Sequence, residues 1–253
     1  MRRLIEASCK SDIGKIRKNN EDNFYFDGKC LEPDNEGLKH PVYLLEPLKN
    51  GLCLAVFDGM GGENFGEVAS FAAARAMQQT ERKFADFFIP ERKYLNRLVA
   101  QINNDVVKEA ERLKTRHIGS TMAALYFTSR SVYVCNLGDS RAYRLRNGEF
   151  LQISHDHVDS RPVSSGRKAA LTQHLGIDSE EVLIEPYIAK GELKRGDCYI
   201  VCTDGLTDML TNFEIADILI SSKDTDESTN RLVSAALEKG GKDNVTVIVC
   251  RII

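Results

Sequence analysis

Apolar residues run together or alternate with polar ones over many short stretches of the chain. Seven of these stretches have the length and pattern of β-strands. They are Asn23–Asp27, Leu52–Phe57, Thr121–Thr128, Val132–Leu137, Ala142–Arg146, Tyr199–Thr203 and Val245–Ile252. Asn147-Gly148 follows the fifth stretch and predicts a tight hairpin. Short strands of this kind are typical of antiparallel sheets.

Four other stretches carry apolar residues at the spacing of an α-helix. They run from Gly66 to about Phe84, from Leu95 to Leu113, over Asn212–Ser221 and over Glu227–Lys239. The strands come in runs and the helices in pairs. This order predicts an α+β layered sandwich and not an alternating, parallel α/β fold.

Two stretches lack a regular pattern. Gly28–Asn50 contains Pro33, Pro41 and Pro47, and Val158–Ala170 is rich in Ser and Arg. Both are predicted to be loops that leave and rejoin one domain covering residues 1–253.

The composition narrows the classes of function. With 42% hydrophobic and 28% charged residues, the chain of 253 residues can bury a substantial core. Its 34 basic and 37 acidic side chains give a formal net charge of −3, so no cationic field attracts nucleic acid or an anionic membrane. The longest apolar runs have only strand length, and we expect neither a signal peptide nor a membrane span. The sequence therefore predicts a cytoplasmic protein that binds no nucleic acid and no membrane.

The seven cysteines lie mostly inside apolar runs. Their odd number and their positions indicate buried thiols and not a disulfide framework.

Acidic residues stand where predicted strands end or begin. Asp58, Asp139 and Asp204 follow three strands, and Asp243 comes just before the last one. In an antiparallel pair the end of one strand lies beside the start of its neighbour, so these acids can converge on one rim of a sheet. A single Asp-Gly is more simply a turn. Four acids at one rim repel one another unless a cation lies among them, and hard oxygen ligands favour Mg²⁺ or Mn²⁺.

A carboxylate-held metal pair suits the hydrolysis of phosphate esters. The ester is anionic and repels an attacking hydroxide. Two ions about 3.5–4 Å apart can share a carboxylate, acidify a bridging water and screen the phosphoryl oxygens. An arginine is a suitable partner for the phosphate, because its planar fork matches two oxygens.

Eight groups of motifs occur in order along nearly the whole chain. They are Ser11–Asp22, Val56–Gly62 with Gly66–Ser70, Gly119–Thr121, Asn136–Arg141, Asp156-His157, Leu171–Gly176, Thr203–Asp208 and Gly241–Thr246. Each is weak alone, but together they resemble the metal-dependent protein phosphatases, the type 2C serine/threonine phosphatase family, in its compact bacterial form.

This resemblance implies a fold and an activity. The expected fold is a four-layer α-β-β-α sandwich of two antiparallel sheets flanked by helices. The expected activity is hydrolysis of phosphoserine and phosphothreonine by a hydroxide that bridges two Mn²⁺ or Mg²⁺ ions, with a weaker third ion. The substrates would be proteins phosphorylated by a Ser/Thr kinase in a signalling pathway, and the enzyme is expected to be a monomer.

The resemblance also implies roles for individual residues. Asp58 would bridge both ions, the Gly59 carbonyl would bind one, and Asp204 and Asp243 would complete the other. Three further acids are expected near the ions, and one arginine is expected to bind the substrate phosphate. The acids are Glu21 and Asp22, through metal-bound waters, and Asp139, at the third site; the arginine is Arg17. The predicted catalytic set is Asp58, Arg17, Asp204 and Asp243.

The chain departs from the family pattern in three places. Only 13 residues separate His157 from Leu171, so the flap around 158–170 is short. The stretch Gly28–Asn50 is long for a bacterial relative and has no assigned role. Met60 stands where animal relatives have a histidine suited to protonate the leaving group, so the sequence leaves the general acid unassigned.

Three other functions stay open from the residues alone. Cys135 and Arg141 match the Cys-x5-Arg pattern of cysteine-dependent phosphatases, although Asp139 between them would repel a phosphate. A catalytically inactive, phosphoprotein-binding or scaffold relative would be expected to lack metal ligands. A two-metal nuclease is disfavoured by the negative net charge.

Overall fold

The structure is a computed structural model of the chain, and it describes residues 3–48, 51–61, 65–84, 89–115, 118–161, 168–178 and 182–253. The strands are β1 Leu4–Asp12, β2 Asp22–Phe26, β3 Val42–Pro47, β4 Leu52–Met60, β5 Gly119–Ser120, β6 Met122–Phe127, β7 Ser131–Leu137, β8 Arg141–Arg146, β9 Glu149–Gln152, β10 Tyr187–Glu192, β11 Cys198–Cys202 and β12 Val245–Ile252. The helices are α1 Gly66–Phe84, α2 Glu91–Arg112, α3 Asp204–Thr207, α4 Asn212–Ser221 and α5 Thr225–Glu238.

The strands form two antiparallel sheets. One has the order β3-β1-β12-β11-β8-β9, and the other has the order β10-β7-β6-β4-β2 with β5 paired to β4. Alternate residues of β4 point to opposite faces of its sheet: Leu54 and Val56 pack between the two sheets, while Ala55 and Phe57 pack on the side of α1 and α2. A third core lies under α4 and α5 on the outer face of the first sheet. The predicted four-layer α+β sandwich is confirmed.

Local signals explain where several elements begin and turn. The Thr211 hydroxyl accepts a hydrogen bond from the Glu214 amide, and the Glu214 carboxylate accepts one from the Thr211 amide, which starts α4 with a capping box. The Asp224 side chain caps the start of α5 by accepting a hydrogen bond from the Glu227 amide. Asn147 and Gly148 both have positive φ, as a two-residue hairpin between β8 and β9 requires.

The prediction of a loop over Gly28–Asn50 is wrong in part. This stretch contains β3, which is the edge strand of the first sheet and pairs with β1. The sequence pattern also missed β1 itself. One face of β1 is apolar and buried between the sheets, but the other carries Ser8 and Lys10. These two side chains lie against the polar face of α5, where the Thr229 hydroxyl donates to Ser8 and Lys10 donates to Asn230.

Of the predicted short flap around 158–170, residues 162–167 lie outside the described residues. The two ends of this segment are joined by a bridge between Val158 and Leu171. In the part of the chain that the structure describes, no helix is both long and apolar enough to cross a membrane.

Candidate metal-binding active site

Two of the predicted acids face each other across neighbouring strands. Asp22 opens β2 and lies directly opposite Asp58 on β4. Opposite residues of an antiparallel pair point to the same face, and Asp58 continues the Leu54 and Val56 face that lies between the sheets. Asp22 is 1% exposed, and its carboxylate accepts a hydrogen bond of 2.7 Å from the Thr203 hydroxyl.

The other sheet supplies two more acids at the same end of the sandwich. Strand β11 ends two residues before Asp204, and β12 begins two residues after Asp243. The two strands are antiparallel neighbours, with Cys202 paired to Val247. The end of one therefore lies beside the start of the other, as the sequence argument requires. Thr203 connects the sheets, because it donates to Asp22 and accepts a hydrogen bond from the Thr246 amide.

The remaining predicted acids border this group. Asp139 follows β7, and the turn before it is made by Gly138, which has a φ of +90°. Glu21 precedes β2, and its side chain lies close to Gly66 at the start of α1. The Glu21 carbonyl accepts a hydrogen bond from the Gly59 amide. A side chain at Gly59 would overlap the Gly66 carbonyl, so only glycine lets the strand end and the helix start meet here.

Burial and mutual repulsion raise the pKa values of the acids. The Asp58 pKa is raised well above its usual range, first by burial and then by Asp204, Asp22, Asp243 and Asp139. Burial likewise raises the pKa of Asp22 to about 8. The pKa of Asp139 is raised to about 6 by burial and by Asp204. Acids from distant parts of the chain therefore act on one another electrostatically, as convergence predicts.

Among the described residues, two basic side chains lie within this acidic group. Arg17 binds Asp243 in bidentate fashion, with Nε and one terminal nitrogen each 2.8 Å from a carboxylate oxygen. The Lys168 ammonium binds Asp204 and lies 2.9 Å from an Asp208 oxygen. Burial opposes the charge on Lys168, but these ion pairs outweigh it and raise its pKa.

Lys168 is a site residue that the sequence did not predict. It belongs to the loop Val158–Ala170, and charged side chains in such loops are usually solvated. The structure instead folds this end of the loop back over the end of β11.

Asn244 positions the segment that carries Arg17. Its side-chain NH₂ group donates to the carbonyls of Ile13 and Asn19, and its side-chain oxygen accepts from the Glu21 amide. It holds the segment that carries Arg17 against the start of β12. Its only sequence signal is its place in the Asp243-Asn244 motif.

The residues present fit divalent cations by their chemistry. In the described chain, no three His, Cys, Asp or Glu side chains are arranged as a closed set of metal ligands. However, six predicted carboxylates lie near only two basic side chains of the described residues. The pKa values of Asp22, Asp58 and Asp204 are raised. A partly buried excess of hard oxygen donors is the environment that Mg²⁺ and Mn²⁺ neutralise. The Lys168 ammonium contacts one of the two Asp204 oxygens, and an ion at that oxygen would displace it.

The alternative cysteine site does not have the properties of a nucleophile. Cys135 is fully buried within β7, and burial raises its pKa to about 12. A reactive cysteine needs a lowered pKa and access to substrate. Arg141, the other end of the Cys-x5-Arg pattern, binds Asp156 through two nitrogens at 2.6 and 2.8 Å.

Comparison with known proteins identifies the family. Residues 43–243 match the family model of protein phosphatase 2C. The chain belongs to the protein phosphatase 2C family. The resemblance inferred from the motifs is thereby confirmed.

Curated relatives of this phosphatase 2C chain are bacterial. It is 28% identical to serine/threonine phosphatase stp of Listeria welshimeri, over 97% of this chain and 95% of that protein. It is 29% identical to serine/threonine protein phosphatase PstP of Mycobacterium tuberculosis, over 99% of this chain but only 45% of that longer protein.

Solved structures of phosphatase 2C proteins have the same fold. The crystal structure of M. tuberculosis PstP/Ppp has a TM-score of 0.77 and 27% identity, and the match covers 98% of each chain. A PstP catalytic domain in complex with two manganese ions has a TM-score of 0.78 and 28% identity, covering 99% of each chain.

Proposed function

We propose that this chain is a protein serine/threonine phosphatase that hydrolyses phosphoserine and phosphothreonine with two Mn²⁺ or Mg²⁺ ions. The observation that carries the proposal is the meeting of Asp22, Asp58, Asp204 and Asp243 at one end of a phosphatase 2C sandwich. The relatives named serine/threonine phosphatases and the PstP domain with two manganese ions support it.

The acids have separate proposed tasks. Asp58 would be shared by the two ions, the Gly59 carbonyl would hold one, and Asp204 and Asp243 would hold the other. Glu21 and Asp22 would act through waters, and Asp139 would contribute to a weaker third site. When bound, the ions acidify the attacking water and screen the phosphoryl oxygens.

Arg17 is the proposed phosphate-binding residue. Its guanidinium is fixed by Asp243 on one side, while 46% of its side chain stays exposed. A fixed but accessible guanidinium can bind two phosphate oxygens without a large ordering cost. The water then attacks phosphorus directly, with no covalent phosphoenzyme.

The wider proposal follows the same reasoning. The substrates are proteins phosphorylated by a Ser/Thr kinase, and the enzyme is a cytoplasmic monomer whose catalytic domain spans residues 1–253. The net charge of −3 counts against nucleic acid as a substrate.

A phosphatase assay on a phosphoserine peptide tests the proposal. The wild-type protein should release phosphate with added Mn²⁺ and lose this activity with a chelator. Cys135→Ser should keep the activity, because the buried thiol takes no part. Absence of Mn²⁺-dependent hydrolysis would favour an inactive, phosphoprotein-binding relative, and loss of activity in a folded Cys135→Ser variant would favour cysteine chemistry.

A further inference from the structure

Hydrolysis of a serine or threonine phosphate needs a proton at the leaving oxygen. An expelled alkoxide is a strong base, and general acid catalysis of such a step contributes about 10²–10⁴-fold in rate. The basic residues already placed in the site are poor donors. Arginine stays protonated in proteins, and the Lys168 pKa is raised by its ion pairs with Asp204 and Asp208.

The register of β4 and β5 defines a surface next to Asp58. Residues two apart on a strand share a face, so Met60 lies on the same face as Asp58, about 7 Å further along the strand. Met60 is paired directly with Gly119 of β5. A side chain at Gly119 would therefore point to this same face.

His174 fills the space that Gly119 leaves free. A Cβ atom built on Gly119 would lie 2.6 Å from the Leu175 carbonyl oxygen, 2.8 Å from Nδ1 of His174 and 2.9 Å from the terminal methyl carbon of Met60. The imidazole thus lies beside Met60 on the Asp58 face. Glycine at position 119 leaves room for both the Leu175 carbonyl and the His174 ring.

The backbone around His174 is fixed. The next residue, Leu175, pairs with Ser120 of β5: the Leu175 amide donates to the Ser120 carbonyl at 2.7 Å, and the Ser120 amide donates to the Leu175 carbonyl at 3.1 Å. His174 is therefore fixed next to β5, which pairs with the end of β4 that carries Asp58, Gly59 and Met60.

A hydrogen bond also fixes the tautomer of the ring. Nδ1 of His174 lies 2.8 Å from the Leu175 carbonyl oxygen. Because a carbonyl can only accept, Nδ1 carries the hydrogen and donates it. Nε2 is then the nitrogen that gains and loses a proton. The side chain is partly exposed, so it can be reprotonated from water.

We propose that His174 is the general acid of this phosphatase, a role that rests on the proposed function. As water attacks phosphorus and the bond from phosphorus to the serine or threonine oxygen breaks, the proton on Nε2 moves to that oxygen. The products are the free hydroxyl side chain, inorganic phosphate and a neutral imidazole. Solvent then restores the proton to Nε2.

His157 is less suited to this task. Its Nδ1 is buried and has no hydrogen-bond partner among the described residues. Burial also lowers its pKa, which favours a neutral ring without a proton to donate.

Two substrates of different leaving-group basicity test the inference. p-Nitrophenyl phosphate releases a stable phenolate that needs no proton, whereas a phosphoserine peptide releases an alkoxide. For His174→Ala with saturating Mn²⁺, we expect kcat on the peptide to fall about 10²–10³-fold. We expect kcat on p-nitrophenyl phosphate to change by less than about threefold, and added imidazole to restore part of the peptide activity.

Controls separate this role from a structural one. Mn²⁺ affinity measured by calorimetry should be the same in His174→Ala and wild type, and His40→Gln, at an exposed histidine, should leave both activities unchanged. Equal losses on the two substrates, no loss on the peptide, or weakened Mn²⁺ binding would each overturn the inference. If wild type hydrolyses neither substrate, the proposed function itself fails.

Discussion

Replacing Asp22 with Asn should stabilise the protein when no divalent ion is bound. The pKa of Asp22 is raised to about 8, mainly by burial and also by the neighbouring Asp204 and Asp243, against hydrogen bonds from Thr203 and Thr246 that lower it. An unfolded Asp has a pKa of about 3.9. The folded protein therefore binds a proton at Asp22 more tightly than the unfolded chain does, and its stability falls as the pH rises from about 4 to about 8.

The size of the effect follows from the same shift. The shift is about four pKa units and each unit corresponds to about 1.4 kcal/mol, so charging Asp22 costs the folded state on the order of 5 kcal/mol near pH 8. Asn carries no charge and can still accept the Thr203 hydrogen bond, although the bond to a neutral group is weaker by about 1 kcal/mol. The net gain is then about 4 kcal/mol, or roughly 8–16 °C in Tm for a chain of this size.

Thermal unfolding followed by circular dichroism in chelator, from pH 4 to pH 8.5, measures this effect. The Tm advantage of Asp22→Asn should be largest near pH 8 and vanish near pH 4, and saturating Mn²⁺ should reduce it by neutralising the wild-type acids. Asp34→Asn, at an exposed loop acid, should stay within about 0.5 kcal/mol of wild type at every pH. If Asp22→Asn unfolded at a lower temperature than wild type at pH 8 in chelator, the electrostatic account of the site would be refuted.

Two further predictions, the first with a control variant, concern the core and the phosphate site. Asp197→Asn should lower the free energy of unfolding by about 3–5 kcal/mol in urea titrations, because the buried carboxylate is bound by Arg146 at 2.6 Å and by the Tyr199 hydroxyl. Glu109→Gln, in an ion pair on the solvated face of α2, should cost less than about 1 kcal/mol, and equal losses would contradict this reasoning. Arg17→Ala should raise KM for a phosphopeptide about tenfold or more in steady-state kinetics, and an unchanged KM would count against phosphate binding.

Patterns that are local in sequence predicted most of the architecture. Strands with apolar residues on both faces, such as β4 and β11, form continuous apolar runs, and such runs can be recognised without knowing which strands they pair with. The helix α1 and the Asn147-Gly148 hairpin also follow from neighbouring residues alone. The acids at the strand ends could be placed on one rim because antiparallel pairing is itself a local rule.

The features that sequence reasoning missed depend on distant partners. The polar face of β1 gives no strand signal, because the α5 side chains that cover it come more than 200 residues later. Lys168 has no local signal, because its acidic partners Asp204 and Asp208 lie at the two ends of α3, more than 30 residues later. His174 carries no local signal, since its position depends on an absent side chain at Gly119.

Binding of two divalent ions by the converging acids depends, in the proposed mechanism, on Asp58. Calorimetric titration of Mn²⁺ into the chelator-treated protein measures this binding. We expect wild type to bind two ions and to release protons as acids with raised pKa values ionise. We expect folded Asp58→Asn to bind Mn²⁺ at least about tenfold more weakly, because the carboxylate proposed to bridge the ions is lost. Equal Mn²⁺ binding by the two proteins, or no Mn²⁺ binding by wild type, would contradict this mechanism.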